Sequence, residues 1–512
     1  MEPRSLADRR PRALILVRGC ARRVIRAWTA PVPALPLALF RVAVAALTLA
    51  YLVRLTVELP LLHGPTGLVD QRTVETAYPF TRQPLFPSDA GLAVRRALLL
   101  LGCALCVPLG LGWRPRRVAL ALYLLVVCAV RSHFVVASVD DGIVHLLLFW
   151  AALLPVGESL SIDHGKRLRR LVPGGAVRAA SLNFALIYLV AGASKWTSEM
   201  WREGSALHAI LSLRPSFWPE AVDAVPASVW ALGSYGALAV EPLFALLVVL
   251  PSGSRVKAAL GLVWFGFHAF LVATFDVGLA NLGCVALGLL VFGNEIGSAV
   301  GRPARTSVPG RARLLPRDAV AAVVVALLMG AMATSLARSG WRDTSAGRDR
   351  TALHEATVSR AFYGPLWCMG LMQQYRLLDW IDHRNHACDF HATLDGAPLS
   401  CFDDRWLTPR TMRGTLLLAP LVGARWSPLP PHCEERVRDH LRERLAERIA
   451  HRIAPGLGTP AVLAVEARVT RVRLGTRPAP EVREVLRALI HPDGDVVVLP
   501  PTEFAPCVAS SP

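Results

Sequence analysis

The sequence predicts an all-α polytopic membrane domain of about nine transmembrane helices, followed by a small α+β extracytoplasmic domain. Of the 512 residues, 53% are hydrophobic and only 18% are charged, whereas soluble domains carry about a quarter charged residues. Before residue 340 the apolar residues gather in runs of about 15 to 25, and a run of about 20 spans the hydrocarbon core of a bilayer. After that point the sequence is mixed, as in a soluble domain.

The apolar runs divide the chain into a basic cytoplasmic N-terminus, a transmembrane domain, a basic loop with the last helix, and an extracytoplasmic domain. These regions are residues 1–30, 31–300, 301–338 and 339–512. The predicted spans are 33–57, 97–112, 118–138, 143–157, 178–195, 228–250, 257–275, 279–294 and 319–338. Two of them, 143–157 and 279–294, are short for a membrane crossing, so eight crossings are an alternative.

The loop charges predict a multi-pass protein of the cell membrane. Cytoplasmic loops carry an excess of Lys and Arg. The N-terminus is rich in arginine, and the loops that follow every second span are basic, at 114–117, 166–170, 255 and 302–317. The N-terminus is therefore predicted to be cytoplasmic and the tail extracytoplasmic. The net charge of +18 has the same origin, and since no nucleic-acid-binding motif is found, we expect a lipid membrane and no nucleic acid as partner.

The tail has the pattern of a small α+β domain. Apolar residues recur every fourth position over 434–453, which predicts an amphipathic helix. Residues 461–474 and 495–499 are β-branched and predict strands. A disulfide between Cys388 and Cys401 is one possibility, and the five tail cysteines leave one thiol over.

Known catalytic and metal-binding motifs are not found. The tail residues His383, His386, Cys388, Asp389 and His391 crowd together, but their spacing does not match a standard zinc site, so no metal is expected. The sequence also lacks a Walker loop and the HExxH and GxSxG motifs. These negatives weigh against an ATPase, a zinc protease and a classical hydrolase.

Polar side chains at membrane depth are the candidate functional residues, because they cost free energy unless they are paired or line a wet cavity. They are Arg41, Arg131, His133, Asp140, Asp141, His145, Asn183, Lys195, Glu241, His268, Asp276 and Asn281.

Lys195 has the most informative surroundings. It is one of only three lysines in the chain, and Ser181, Tyr188 and Lys195 lie seven residues apart on one helix face. Small residues at 191–194 allow a neighbouring helix to approach closely. One interpretation is a lysine that snorkels to the interface beside Trp196. The other is a partly desolvated lysine that acts as a base.

His145 and Glu241 also have two interpretations each. Asp141 and His145 are four residues apart on one helix face, so the carboxylate is positioned to orient the imidazole as a base. The alternative is a helix cap and a buried, hydrogen-bonded histidine. Glu241 precedes Pro242 within a span. It is either a structural carboxyl, protonated or paired with an arginine, or a residue of a ligand pocket.

Several ordered blocks of residues 33–300 resemble the HTTM family, the bacterial relatives of vitamin K-dependent γ-glutamyl carboxylase. The blocks are Leu39-Phe-Arg41, Leu148-Phe-Trp-Ala-Ala-Leu-Leu-Pro155 with Ser161-Ile-Asp163, Tyr188-Leu-Val-Ala-Gly-Ala-Ser-Lys195 with Trp201-Arg-Glu-Gly204, and Phe267-His268. The tail segment 369–375 also looks like the region that follows the membrane domain in such proteins.

The resemblance implies a carboxylase-like lyase with a quinol cofactor, of the vitamin K or menaquinone type, acting on a secreted peptide or protein at the outer leaflet. Lys195 matches the lysine that deprotonates the quinol, and Ser194 stands where the carboxylase has a second lysine. His268 matches a functional histidine, and His145 lies about one turn from the position of another. Carbon dioxide and oxygen are co-substrates if carboxylation occurs.

We therefore expect three groups of site residues. The catalytic group is Lys195, His268 and His145, the cofactor-binding group is Tyr188, Trp196 and Glu241, and the substrate-binding group is Trp201 and Glu203. Two alternative functions stay open. One is a non-catalytic maturation, export or immunity factor for a secreted peptide, and the other is a transporter, although no inverted repeat is recognisable.

Overall fold

The computed structural model describes most of the membrane domain and the ordered part of the tail. The described residues are 28–65, 67–77, 81–164, 171–213, 216–299, 316–341, 386–399, 431–471 and 481–500, with isolated positions between 365 and 421. The Cys388–Cys401 pairing and the segment 369–375 therefore lie, wholly or in part, outside the described residues.

The described chain is mostly helical, and every predicted span coincides with helical structure. The helices are α1 (Leu35–His63), α2 (Gln71–Ala77), α3 (Leu92–Leu111), α4 (Pro115–Ser132), α5 (Val139–Leu153), α6 (Gly175–Lys195), α7 (Glu199–Arg202), α8 (Ala206–Leu211), α9 (Ala227–Val240), α10 (Arg255–Thr274), α11 (Gly278–Val291), α12 (Gly293–Ala299) and α13 (Pro316–Trp341). A 3₁₀ segment, Pro242–Val248, continues α9.

Six segments in the described part of the chain are long and apolar enough to cross a membrane, or seven if the bent pair α11–α12 counts as one span. With the bent pair counted, two of the nine predicted spans still fall short of this test. α5 has only fifteen residues, and α4 contains Arg116, Arg117 and Arg131. α5 is buried along most of its length, because α1, α4 and α11 pack around it. Its length therefore fits an internal position in the bundle.

The helices are buried to different extents, which shows which of them are central in the bundle. In α6, 72% of the residues tested as a span are buried, whereas the value for α10 is 17%. α6 is therefore central, and α10 is peripheral with most of its surface facing outward. α9 and its 3₁₀ continuation are 33% buried and lie beside α6 and α10.

One end of the bundle is held together by backbone contacts and by Arg41. Strand β1 (Val32–Pro33) pairs with β2 (Leu171–Val172) just before α1 and α6. The buried guanidinium of Arg41 donates to the carbonyls of Gly110, Val156, Ser159 and Leu160. Its described partners are thus backbone carbonyls that end α3 and follow α5.

The tail forms an antiparallel five-stranded sheet with a helix packed on it. The strands are β3 (His386–Leu394), β4 (Ala397–Pro398), β5 (Ala461–Arg471), β6 (Glu481–Ile490) and β7 (Val496–Leu499), in the order β4-β3-β5-β6-β7. Helix α14 (Pro431–Ile453) packs on β6 and β7. The predicted helix and both predicted strands are confirmed, and β3, β4 and β6 are additional.

The tail helix contacts the loop that follows α1. Arg444 of α14 donates to the carbonyl oxygens of Pro65 and Gly67 at 2.6 and 2.8 Å. The tail domain therefore lies at the end of the bundle where α1 ends.

Candidate active site

Lys195, the last residue of α6, forms a buried ion pair with Glu241. The Nζ–Oε2 distance is 2.6 Å, and the two residues are only 2% and 3% exposed. An ion pair removed from water is costly unless its geometry is good and its charges are compensated. The amine thus faces the interior of the protein, which excludes the interpretation of Lys195 as a snorkelling lysine.

A break in the sixth span brings Glu241 to this position. Helix α9 ends at Val240, and Pro242 begins the 3₁₀ segment, because proline cannot donate the next helical hydrogen bond. The ring of Pro242 lies against Gly192 so closely that a Cβ atom on Gly192 would collide with it. The absence of a side chain at Gly192 therefore allows α6 and the break to approach, and places Glu241 beside Lys195.

The short helices α7 and α8 form a cover over the site on the side of Trp201. The Lys195 ammonium lies 5.3 Å from the centroid of the Trp201 ring, a cation–π distance. Trp201 is 2% exposed and belongs to a separate apolar cluster. That cluster consists of Trp201, Ala206, Ala209, Ile210, Leu213, Leu238, Phe275 and Val277. The cover keeps bulk water from the ion pair.

A second polar group lies two turns earlier on α6. The Tyr188 hydroxyl and Nε2 of His268 are 2.7 Å apart, and Nε1 of Trp264 donates to the Tyr188 oxygen at 2.7 Å. Nδ1 of His268 lies 2.9 Å from Oδ1 of Asn281. All four side chains are buried. The structure therefore joins α6, α10 and α11 through one hydrogen-bonded chain.

Aromatic rings fill the space around these polar groups. The Tyr188 ring packs edge-on against Phe244 with centroids 5.4 Å apart, and Phe244 contacts Phe267 at 5.7 Å. Phe184 also packs against Tyr188, with ring centroids 4.8 Å apart. Apolar walls with a few convergent polar groups are characteristic of binding sites for small molecules.

A half-buried ion cluster holds the start of α11. Arg54 of α1 pairs with Glu58, Asp140 and Asp276 at 3.0, 3.4 and 3.0 Å. The other oxygen of Asp140 accepts from the backbone N–H of Ala280 at 2.8 Å. Because this N–H belongs to the first turn of α11, Asp140 caps the helix that carries Asn281.

The predicted residues divide into those that converge and those that do not. Lys195, Glu241 and Trp201 meet at the ion pair, and Tyr188 and His268 meet in the chain below it. His145 is buried on α5 and faces Tyr123, with ring centroids 6.5 Å apart. Trp196 is 56% exposed, and Glu203 is exposed after the short helix α7. These last two side chains therefore lie away from the buried groups.

Asp141 acts as part of a helix cap. Ser138 and Asp141 form a capping box at the start of α5, and the Tyr51 hydroxyl donates to the other oxygen of Asp141. This arrangement is the cap that the sequence offered as the alternative to orienting His145. The described contacts of Asp141 hold α1 to the start of α5.

Two residues with a part in these polar networks, Trp264 and Arg54, were not identified as candidates from the sequence. Trp264 precedes His268 by one helical turn, so its spacing on the same face was an available signal. Arg54 lies within the first predicted span, where an arginine requires a partner. Glu58 lies one turn later on the same helix, whereas Asp140 and Asp276 come from distant segments.

The arrangement is suited to moving protons between buried groups. An amine, a carboxylate, a phenol and an imidazole all have exchangeable protons or acceptor atoms, and the low dielectric around them strengthens their mutual electrostatic interactions. Among the described residues no group of three or more His, Cys, Asp and Glu side chains is placed to hold a metal ion.

Comparisons with protein-family models, curated proteins and solved structures find no match to the chain.

Proposed function

We propose that the protein is a membrane enzyme of the carboxylase-like HTTM type that accepts protons from a quinol at the Lys195–Glu241 pair. The observation that carries the proposal is this pair, a 2.6 Å contact between an amine and a carboxylate that are both shielded from solvent. A lysine that only anchored a helix at the interface would keep its charge in water.

The residues around the pair fit a hydroxyl-bearing aromatic ring. The rings of Trp201, Phe244 and Tyr188 supply apolar contact area, and the amine and carboxylate supply a donor and an acceptor for a hydroxyl group. A bound quinol supplies reducing electrons and exchangeable protons to the reaction. In the structure Lys195 and Glu241 form a hydrogen bond with each other. A quinol hydroxyl must therefore form hydrogen bonds to both residues beside this contact or in place of it.

The division of roles follows from the geometry. A carboxylate oxygen of Glu241 accepts the proton of a quinol hydroxyl. Lys195 stabilises the negative charge that develops on the hydroxyl oxygen as this proton leaves. Trp201 stabilises the ammonium through its ring face. Because the cover over Trp201 limits the access of water, these interactions act in a medium of low dielectric.

We also propose nine crossings, with a cytoplasmic N-terminus and an extracytoplasmic tail. This topology is supported by the contacts between segments that it places on the same side. Arg41 joins the ends of α3 and α5 to the start of α1, Arg54 joins Asp140 to Asp276, and Arg444 joins the tail to the loop after α1. The tail is then positioned to present a secreted peptide or protein at the outer leaflet.

The test is to measure quinone that copurifies with the protein. Wild type, Lys195→Met and Glu241→Gln are purified in lipid nanodiscs, extracted with organic solvent and quantified by mass spectrometry. Lys257→Met is the matched control, because Lys257 is also buried and paired, at 2.9 Å from Glu295, but belongs to the start of α10. We expect enrichment of quinone in wild type and Lys257→Met, and its loss in the other two variants.

Equal background amounts of quinone in all four proteins would contradict the proposal. A secreted peptide recovered with the protein in that case would favour the non-catalytic maturation factor.

A further inference from the structure

The hydrogen-bond directions around His268 are fixed by one backbone carbonyl. Nδ2 of Asn281 donates to the carbonyl oxygen of Val277 at 2.8 Å. A carbonyl oxygen only accepts, so the amide NH₂ must face Val277 and Oδ1 must face His268. The reversed amide would place two oxygens against each other in a buried site.

Asn281 in turn fixes the tautomer of His268. Since Oδ1 of Asn281 only accepts, Nδ1 of His268, 2.9 Å away, must carry a proton. In a neutral imidazole the other nitrogen is then an acceptor, so Nε2 accepts a hydrogen bond from the Tyr188 hydroxyl at 2.7 Å. Each hydrogen bond from Tyr188 through His268 to Asn281 therefore has a single donor and a single acceptor.

The Tyr188 oxygen keeps the capacity to accept a ligand proton. Trp264 donates to it at 2.7 Å, and the Cys284 thiol lies within reach of the Tyr188 hydroxyl. The sulfur is only a weak acceptor, so it competes poorly with Nε2 of His268 for the Tyr188 proton. The Tyr188 oxygen can still accept a hydrogen bond from a ligand hydroxyl. Among the described residues, the titratable groups that interact electrostatically with Tyr188 are Cys284 and, from the ion pair above, Glu241.

We propose that Tyr188 and His268 form a second proton-accepting pair, and that Asn281 is the residue that positions it. In the step, a ligand hydroxyl gives its proton to the Tyr188 oxygen while the Tyr188 proton passes to Nε2 of His268. The products are a ligand anion and an imidazolium ion, with no change of oxidation state. This inference rests on the proposed function, because the ligand hydroxyl is that of the quinol.

The position of the second pair adds a constraint on the ligand. Tyr188 and Lys195 are seven residues apart on α6, which corresponds to about 10.5 Å along the helix axis. The two proton-accepting pairs thus follow each other along the face of α6 that packs on Pro242 and Phe244. A ligand with two hydroxyl groups is the class that engages both.

The experiment measures the tautomer directly by ¹⁵N NMR of histidine-labelled protein in nanodiscs. His268→Gln identifies the His268 signals by difference among the 14 histidines. We expect wild type to show a protonated Nδ1 and an unprotonated Nε2. Asn281→Leu is expected to lose this single tautomer and give a mixture, whereas Asn281→Asp, which retains an acceptor oxygen, is expected to keep Nδ1 protonated.

Asn183→Leu is the matched control, because Asn183 is an equally buried amide that accepts from Trp150 at 2.8 Å. It is expected to leave the His268 signals unchanged. A proton on Nε2 in wild type, an unchanged tautomer in Asn281→Leu, or the same loss in Asn183→Leu would overturn the inference. The tautomer is measured without ligand, so a protein that keeps it but retains no quinone contradicts only the proposed function.

Discussion

Glu241 accepts a hydrogen bond from Lys195 inside the helix bundle, although 46 residues separate them in the chain. Lys195 ends a regular helix, and Glu241 lies where another helix breaks. The pair therefore depends on the packing of Pro242 against Gly192. This relationship leads to predictions for stability, for the approach of the two segments and for the reactivity of the amine.

The first prediction concerns the mutual dependence of the two charges. Lys195→Met leaves a buried carboxylate without its cation, and Glu241→Leu leaves a buried ammonium without its anion. We expect each to destabilise the protein by about 3–5 kcal/mol, and the double variant by much less. Thermal unfolding of the four proteins in one detergent gives the double-mutant cycle. Additive losses would show that the two residues do not interact.

The second prediction concerns the contact between Gly192 and Pro242. Gly192→Ala introduces a Cβ atom that collides with the proline ring, so we expect a loss of about 1–3 kcal/mol of stability. Gly266→Ala is the control, since no atom lies within 4 Å of its added Cβ, and we expect a gain of about 0.5–1 kcal/mol from helix propensity. Effects of the same sign and size in both variants would refute the close approach.

The third prediction concerns Arg41, whose guanidinium donates to four carbonyls. Lysine has three donors on a single nitrogen and cannot match this planar arrangement. We expect Arg41→Lys to lower the unfolding temperature, because at least one buried carbonyl loses its donor at a cost of about 1–3 kcal/mol. The exposed Arg96 provides the control variant Arg96→Lys, which should melt like wild type.

The fourth prediction concerns topology. Alkaline phosphatase fused after residue 512 should be active, because the proposed topology places the tail outside the cytoplasm. The same enzyme fused after residue 254, in the loop between the 3₁₀ segment and α10, should be inactive. Activity only at residue 254 would reverse the orientation, and equal activity at both sites would contradict the number of crossings between them.

The sequence predicted the positions of the helices well, because long apolar runs leave little choice of structure in a bilayer. It also identified Lys195, Glu241, His268 and Asn281 as polar residues at membrane depth, and it placed Tyr188 on the same helix face as Lys195. It did not predict that Lys195 pairs with Glu241, although buried charges require partners. The pairing depends on the break at Pro242 and on its fit to Gly192, which are tertiary features.

Strand β6 shows the same limit in the tail. In the segment Glu481–Ile490 the pair Val485 and Leu486 is followed four residues later by Leu489 and Ile490, a spacing that also fits a helix. The segment is a strand because β5 and β7 provide hydrogen bonds on both sides. A register shift opposite Val465 and Glu466 accompanies the consecutive buried residues Val485 and Leu486. Tertiary pairing thus overrides the local pattern.

The most direct measurement for the central claim is the reactivity of the Lys195 amine toward a small amine-reactive ester. The chain has only three lysines, so peptide mass spectrometry resolves Lys195 after labelling of the folded protein in nanodiscs and after denaturation. The buried pair with Glu241 predicts that Lys195 is protected in the folded wild type and becomes reactive in Glu241→Gln or on unfolding. Labelling of Lys195 at the denatured rate in the folded wild type would contradict an inward-facing amine and, with it, the proposed site.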